Sequence, residues 1–93
     1  MKKRVISIDF DGVIRDCLTD QPVEGVKQAL KWLNNKGYNW VICTGRTDLE
    51  PVKKWLHRNG ITAKPTNQKI KAVAYIDDRA IRFINWKDTL NYF

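Results

Sequence analysis

The sequence predicts an α/β domain built on a mainly parallel sheet. Short apolar runs alternate with amphipathic helical stretches, glycines close those helical stretches, and three of the runs stop abruptly at Asp or Thr.

The first run is Arg4-Val5-Ile6-Ser7-Ile8, β-branched and ending at Asp9, which reads as a buried strand. Pro22 is placed to open a helix, since a first turn does not need its missing N–H. Val26, Ala29, Leu30 and Leu33 then recur at helical spacing, and Gly37 fits the stop. Residues 39–44 form a second strand ending in Thr44-Gly45-Arg46. With Thr47 or Asp48 as its cap, a second helix carries Leu49, Val52 and Leu56 and ends at Gly60. A short third strand is expected at 61–63, a fourth at 72–76 running into Asp77-Asp78, and a short edge strand at 82–84. The tail to Phe93 carries no clear pattern.

Ninety-three residues favour a single domain spanning 1–93. No apolar run approaches the roughly 20 residues of a membrane span, and the basic N-terminus lacks a signal-peptide core, so the expected location is cytoplasmic without a membrane partner. Cys17 and Cys43 show no metal-ligand spacing; Cys43 reads as a buried, reduced thiol. His57 reads as a surface residue, and Trp32, Trp40, Trp55 and Trp86 read mostly as core or half-buried packing rather than base-stacking platforms.

The net charge is +7. Four of the ten acids fall in two pairs, Asp9/Asp11 and Asp77/Asp78; the other six, set against seventeen Lys and Arg, leave +11 elsewhere. A basic surface around a local acidic cluster suits an anionic substrate, although a cationic surface serving solubility alone gives the same number.

In a parallel sheet with right-handed crossovers every strand points one way, so Asp9, Thr44 and Asp77 fall on one carboxyl edge, where ligands of such sheets bind. Asp9 and Asp11 follow a strand and precede the turn signalled by Gly12. A carboxylate held against a phosphate can attack phosphorus, and a second can protonate the leaving oxygen and then activate water. Asp77 and Asp78 repel unless a cation or proton intervenes, and Mg²⁺ takes oxygen ligands of this kind. Thr44 and the amides of Gly45 and Arg46 sit where a strand meets a helix, a place that binds phosphate oxygens or simply caps the helix. Lys69 or Lys71 can supply a cation to a transferring phosphoryl group.

Asp9-Phe10-Asp11-Gly12-Val13, Thr44 at a strand end, a downstream Lys, and Asp77-Asp78 at another strand end occur in an order that resembles the haloacid dehalogenase-like (HAD) superfamily of phosphohydrolases. Thr66-Asn67-Gln68-Lys69 and Tyr75-Ile76-Asp77-Asp78-Arg79-Ala80 are similar to its small members from bacteria and phages. The resemblance implies a three-layer Rossmann-like domain with strand order 5-4-1-2-3. It makes Asp9 the nucleophile, Asp11 the general acid/base, Thr44 and Lys69 the phosphate-holding residues, and Asp9, Asp11, Asp77 and Asp78 the Mg²⁺ site. About ten residues between Gly12 and the first helix leave no room for a cap domain, so the site would be open to a small phosphomonoester or a nucleic-acid end.

The competing expectation is a phosphate- or polyanion-binding module with a vestigial site. A receiver domain fits less well, because there the acid pair comes first and the Lys last. No G-x-G-x-x-G or Walker loop is present. Arg15, Arg46 and Arg79 neighbour the motif residues and are candidates for a substrate's other charges.

Overall fold

A computed structural model describes residues 4–68, 74–77 and 81–93. The elements in chain order are β1 (Arg4–Asp9), α1 (Val26–Asn35), β2 (Tyr38–Cys43), α2 (Glu50–Arg58), β3 (Pro65–Thr66), β4 (Ala74–Asp77), β5 (Ile81–Arg82) and α3 (Trp86–Leu90). The strands form one sheet in the order β3-β2-β1-β4-β5, and every neighbouring pair is parallel. Counted from the β5 edge, the order is 5-4-1-2-3.

Register explains which residues form the core. Ile8 lies opposite Ile42 on one side and Ile76 on the other. All three are fully buried, as are Ile6 and Phe10, which share the Ile8 face of β1. The helices bury their apolar stripes in the same cluster: Val26, Ala29, Leu30 and Leu33 from α1, Val52, Trp55 and Leu56 from α2, and Trp86 from α3. The opposite face of the sheet carries Val5, Val41, Cys43 and Tyr75, all half-buried, and neither valine joins the core cluster.

Of the expected three layers, the described residues show two, the sheet and one layer of helices. Steps β1-α1-β2 and β2-α2-β3 run in the same direction, and right-handed crossovers then place both helices on one face. Cys43 is corrected for the same reason. It lies on the face opposite the helices, half-buried, and its thiol donates to the Gln68 carbonyl at 3.4 Å.

Several boundaries also differ from expectation. Pro22 does not open α1; it bridges Arg15 in an antiparallel pair, and α1 starts at Val26 after Gly25, whose φ is +83°. The N-cap of α2 is Leu49 rather than Thr47 or Asp48, although the Asp48 carboxylate accepts the Glu50 N–H at 3.1 Å. Residues 61–63 are not a strand. The Gly60 N–H bonds the His57 carbonyl and the Ile61 N–H bonds the Leu56 carbonyl, which together close α2 with Ile61 buried as the apolar residue just beyond the helix. The third strand falls instead at Pro65–Thr66, on the sheet edge, where a missing N–H is tolerated. The edge strand expected at 82–84 is Ile81–Arg82; Phe83 packs edge-on against Trp86 at 5.4 Å, and Ile84 is exposed.

The tail residues after β5 form α3, capped by the Asn85 side chain, which accepts the Asp88 N–H at 2.8 Å. Thr89 on this helix is 1 % exposed and its hydroxyl has no hydrogen-bond partner among the described residues. A buried unpaired hydroxyl costs about 1–3 kcal/mol. Thr89→Val, nearly the same shape, is expected to leave stability unchanged or raise it by about 1 kcal/mol in urea unfolding. A loss of more than about 1 kcal/mol would reveal a hydroxyl partner.

Candidate active site

The ends of four strands meet at the carboxyl edge. Asp9 closes β1 opposite Cys43, which in turn lies opposite Thr66. Ile8 pairs with Ile76, so the next residues of their strands, Asp9 and Asp77, are level across the β1–β4 pair. Thr44 follows Cys43 directly, is 5 % exposed, and its N–H bonds the Thr66 carbonyl at 2.9 Å. Backbone register thus brings Asp9, Thr44 and Asp77 to one edge. Lys69, its competitor Lys71, Asp78 and Arg79 lie outside the described residues.

Beyond β1 the chain turns sharply. The Phe10 carbonyl accepts N–H bonds from Ile14 and Arg15 at 2.9 and 3.0 Å, and the Gly12 N–H bonds the Arg15 carbonyl at 2.8 Å. Gly12 has φ +82°, a conformation in which a side chain is strained. This turn lifts Asp11 above the strand end while Phe10 is driven into the core. The Asp9 carboxylate accepts the Phe10 N–H at 2.9 Å.

Asp11 faces two arginines. Arg46 grips it through both carboxylate oxygens, Nε to Oδ2 at 2.9 Å and Nη2 to Oδ1 at 2.8 Å. Arg15 adds Nε and Nη2 contacts to Oδ1 at 3.1 and 3.0 Å, and its Nη1 reaches Asp20 at 3.1 Å. The guanidinium of Arg46 also lies over the Phe10 ring at 5.5 Å. Sequence reading singled out both arginines only as neighbours of the motifs. That Arg46 joins Arg15 on Asp11 depends on β2 lying beside β1, a pairing the local pattern does not display.

The Arg46 fork holds the Asp11 carboxyl below the usual carboxylate range, against the opposing effect of partial burial and with help from Arg15. At rest Asp11 is therefore an ionised acceptor, fit to take a proton but not to give one. The same pairing contributes to stability with a definite sign. Because the folded pKa lies below the unfolded value of about 3.9, the contribution is fully present above that pH and is lost as pH falls through the folded value. Acid titrations of the unfolding free energy of wild type and Asp11→Asn are expected to converge at the acid end, separate as the pH rises towards about 4, and keep a constant offset above it. An offset that does not shrink at the acid end would contradict the pairing.

Thr44 accepts the Arg46 N–H on its hydroxyl at 3.2 Å, which shapes the loop carrying Gly45 and Arg46. Gly45 is exposed and Arg46 half-buried. As for a metal, Asp9 and Asp11 are oxygen donors of the kind that Mg²⁺ takes. No cluster of three His, Cys, Asp or Glu side chains is formed among the described residues. His57 is exposed on α2, as expected; Trp55 and Trp86 are buried, and Trp32 and Trp40 are partly buried against the core. No helix of the described residues is long and apolar enough to cross a membrane.

Fold and site together define an open parallel α/β domain with acidic residues and a buried threonine at its carboxyl edge. No protein-family model matches the chain, and no curated protein does. Among solved structures it is similar to a conserved protein from Bacteroides thetaiotaomicron, with a TM-score of 0.74 and 21 % identity over 95 % of this chain and 87 % of that one. At that identity the likeness establishes the fold alone.

Proposed function

We propose that the protein is an Mg²⁺-dependent phosphomonoester hydrolase of the HAD-like type, working through an aspartyl-phosphate on Asp9. The observation that carries the reading is the level placement of Asp9 and Asp77 on neighbouring parallel strands, with Thr44 on the strand flanking Asp9 from the other side. The strand order counted from the β5 edge is also the one the motif resemblance implies.

In this reading an Asp9 carboxylate oxygen attacks phosphorus, the ester P–O bond breaks, and the leaving oxygen takes a proton from Asp11. Water then attacks the phosphorus of the acyl phosphate while Asp11 recovers the proton, giving inorganic phosphate and free Asp9. Thr44 and the Gly45 and Arg46 amides hold phosphoryl oxygens, and Lys69 balances their charge. Asp9, Asp77, Asp78 and the Asp11 backbone carbonyl would hold Mg²⁺, which when bound neutralises phosphoryl oxygens and relieves carboxylate repulsion. For Asp11 to act as the acid, the Arg46 fork must open when substrate binds. A chelator-sensitive release of phosphate from an aryl phosphate tests the reading; no release across a range of phosphate esters would contradict it.

The resting grip of two arginines on Asp11 favours a second reading, a phosphate-binding module without turnover. Its signature is salt-sensitive binding of phosphorylated ligands that persists while phosphate release stays at background.

A further inference from the structure

Beside Asp11 lies a cleft of about 190 Å³ lined by Phe10, Arg15, Asp20, Arg46, Trp55 and Arg58. Its chemistry is one-sided, with three guanidiniums against the single carboxylate of Asp20. Arg15 is tied to Asp11 and Asp20, and Arg46 to Asp11. Arg58 has no acidic partner among the described residues and is exposed at the last turn of α2. An arginine carries five N–H donors, and Arg46 commits only its Nε and Nη2 to Asp11. Donors from two helix-and-loop positions are thus left directed at one space.

The floor of the cleft is fixed. Phe10 and Trp55 meet edge to face at 5.2 Å, both are buried, and the Trp55 indole N–H bonds the Asp20 carbonyl at 2.8 Å. These aromatic rings pack the core beneath the arginines and do not offer a stacking surface. The volume is that of about six waters, below the roughly 300 Å³ at which pockets begin to enclose a whole small molecule. A tetrahedral anion fits within this volume and matches the guanidinium donors, whereas a neutral base would leave their charge unanswered.

We infer that the cleft is a subsite for a second phosphate group of the substrate, held by Arg58 and Arg46 while the scissile phosphate lies at Asp9. The inference rests on the phosphatase reading and narrows it to phosphomonoesters bearing another phosphate. Two sources share that chemistry, a nucleoside 3′,5′-bisphosphate and the phosphorylated end of an oligonucleotide.

The test compares kcat/KM for a nucleoside 5′-monophosphate, the matching 3′,5′-bisphosphate and a 5′-phosphorylated dinucleotide, in wild type and Arg58→Ala. The wild-type protein is expected to favour at least one of the two esters with a second phosphate by about tenfold, the scale of one charge-assisted hydrogen-bonding group, and Arg58→Ala to bring that ratio close to one. Whichever ester gains identifies the source. Equal rates on all three in wild type, or a preference that survives Arg58→Ala, would overturn the subsite.

If no ester is turned over, the phosphatase reading fails separately, and calorimetric binding of the same three ligands decides the cleft. Tighter binding of a ligand with a second phosphate that is lost in Arg58→Ala sustains the subsite. Equal binding of all three overturns it.

Discussion

Asp9→Asn is expected to lower phosphate release at least about 10³-fold while leaving the fold intact. Removing an attacking nucleophile abolishes the covalent route, and what survives in such enzymes comes from binding and electrostatics alone. Asparagine is nearly isosteric, and its Oδ1 can still accept the Phe10 N–H now bonded by the Asp9 carboxylate at 2.9 Å. Urea unfolding of the variant should therefore match wild type within about 1 kcal/mol, and that control separates lost chemistry from lost structure. Release at a rate near wild type would remove Asp9 from the nucleophile's role.

Phe10→Ala has the largest expected effect on stability, a loss of about 3–5 kcal/mol. Phe10 is 0 % exposed and stacks edge-on with Trp55, so truncation leaves a cavity at the junction of β1, α2 and the turn. Small domains of this length hold marginal stability, at the low end of about 5–15 kcal/mol, so the variant should be partly unfolded at 37 °C. The ring also supports the Arg46 guanidinium 5.5 Å away, so the Arg46–Asp11 geometry should loosen in whatever fraction stays folded. Phe10→Leu, which fills more of the cavity, is the milder comparison. A cost below about 1.5 kcal/mol for the alanine variant would mean that the site's turn does not depend on this ring.

The elements legible in the sequence are those whose pattern is local. β1 and β2 are apolar runs that stop at polar residues, and α1 and α2 carry one buried stripe each before Gly37 and Gly60, both at positive φ. Ile61 misled because its hydrophobicity serves the closure of α2, a role that looks like the start of a strand when only composition is read. Pro22 misled because its partner, Arg15, lies across a hairpin rather than along a helix. The alignment of Asp9, Thr44 and Asp77 on one edge followed from strand direction alone, and the register places their backbones there. The Arg46 grip on Asp11 could not be read, because it joins residues 35 positions apart through side chains whose reach depends on the turn at Gly12. The single-faced core was equally hidden, since half-buried valines and fully buried isoleucines look alike in sequence.

Reductive trapping during turnover addresses the proposed mechanism most directly. Borohydride converts an acyl phosphate on aspartate to homoserine, and peptide mass mapping locates the converted residue. The aspartyl-phosphate reading predicts homoserine at position 9, dependent on substrate and Mg²⁺ and absent from Asp9→Asn. Conversion at another aspartate, or steady turnover with position 9 unmodified, would contradict it.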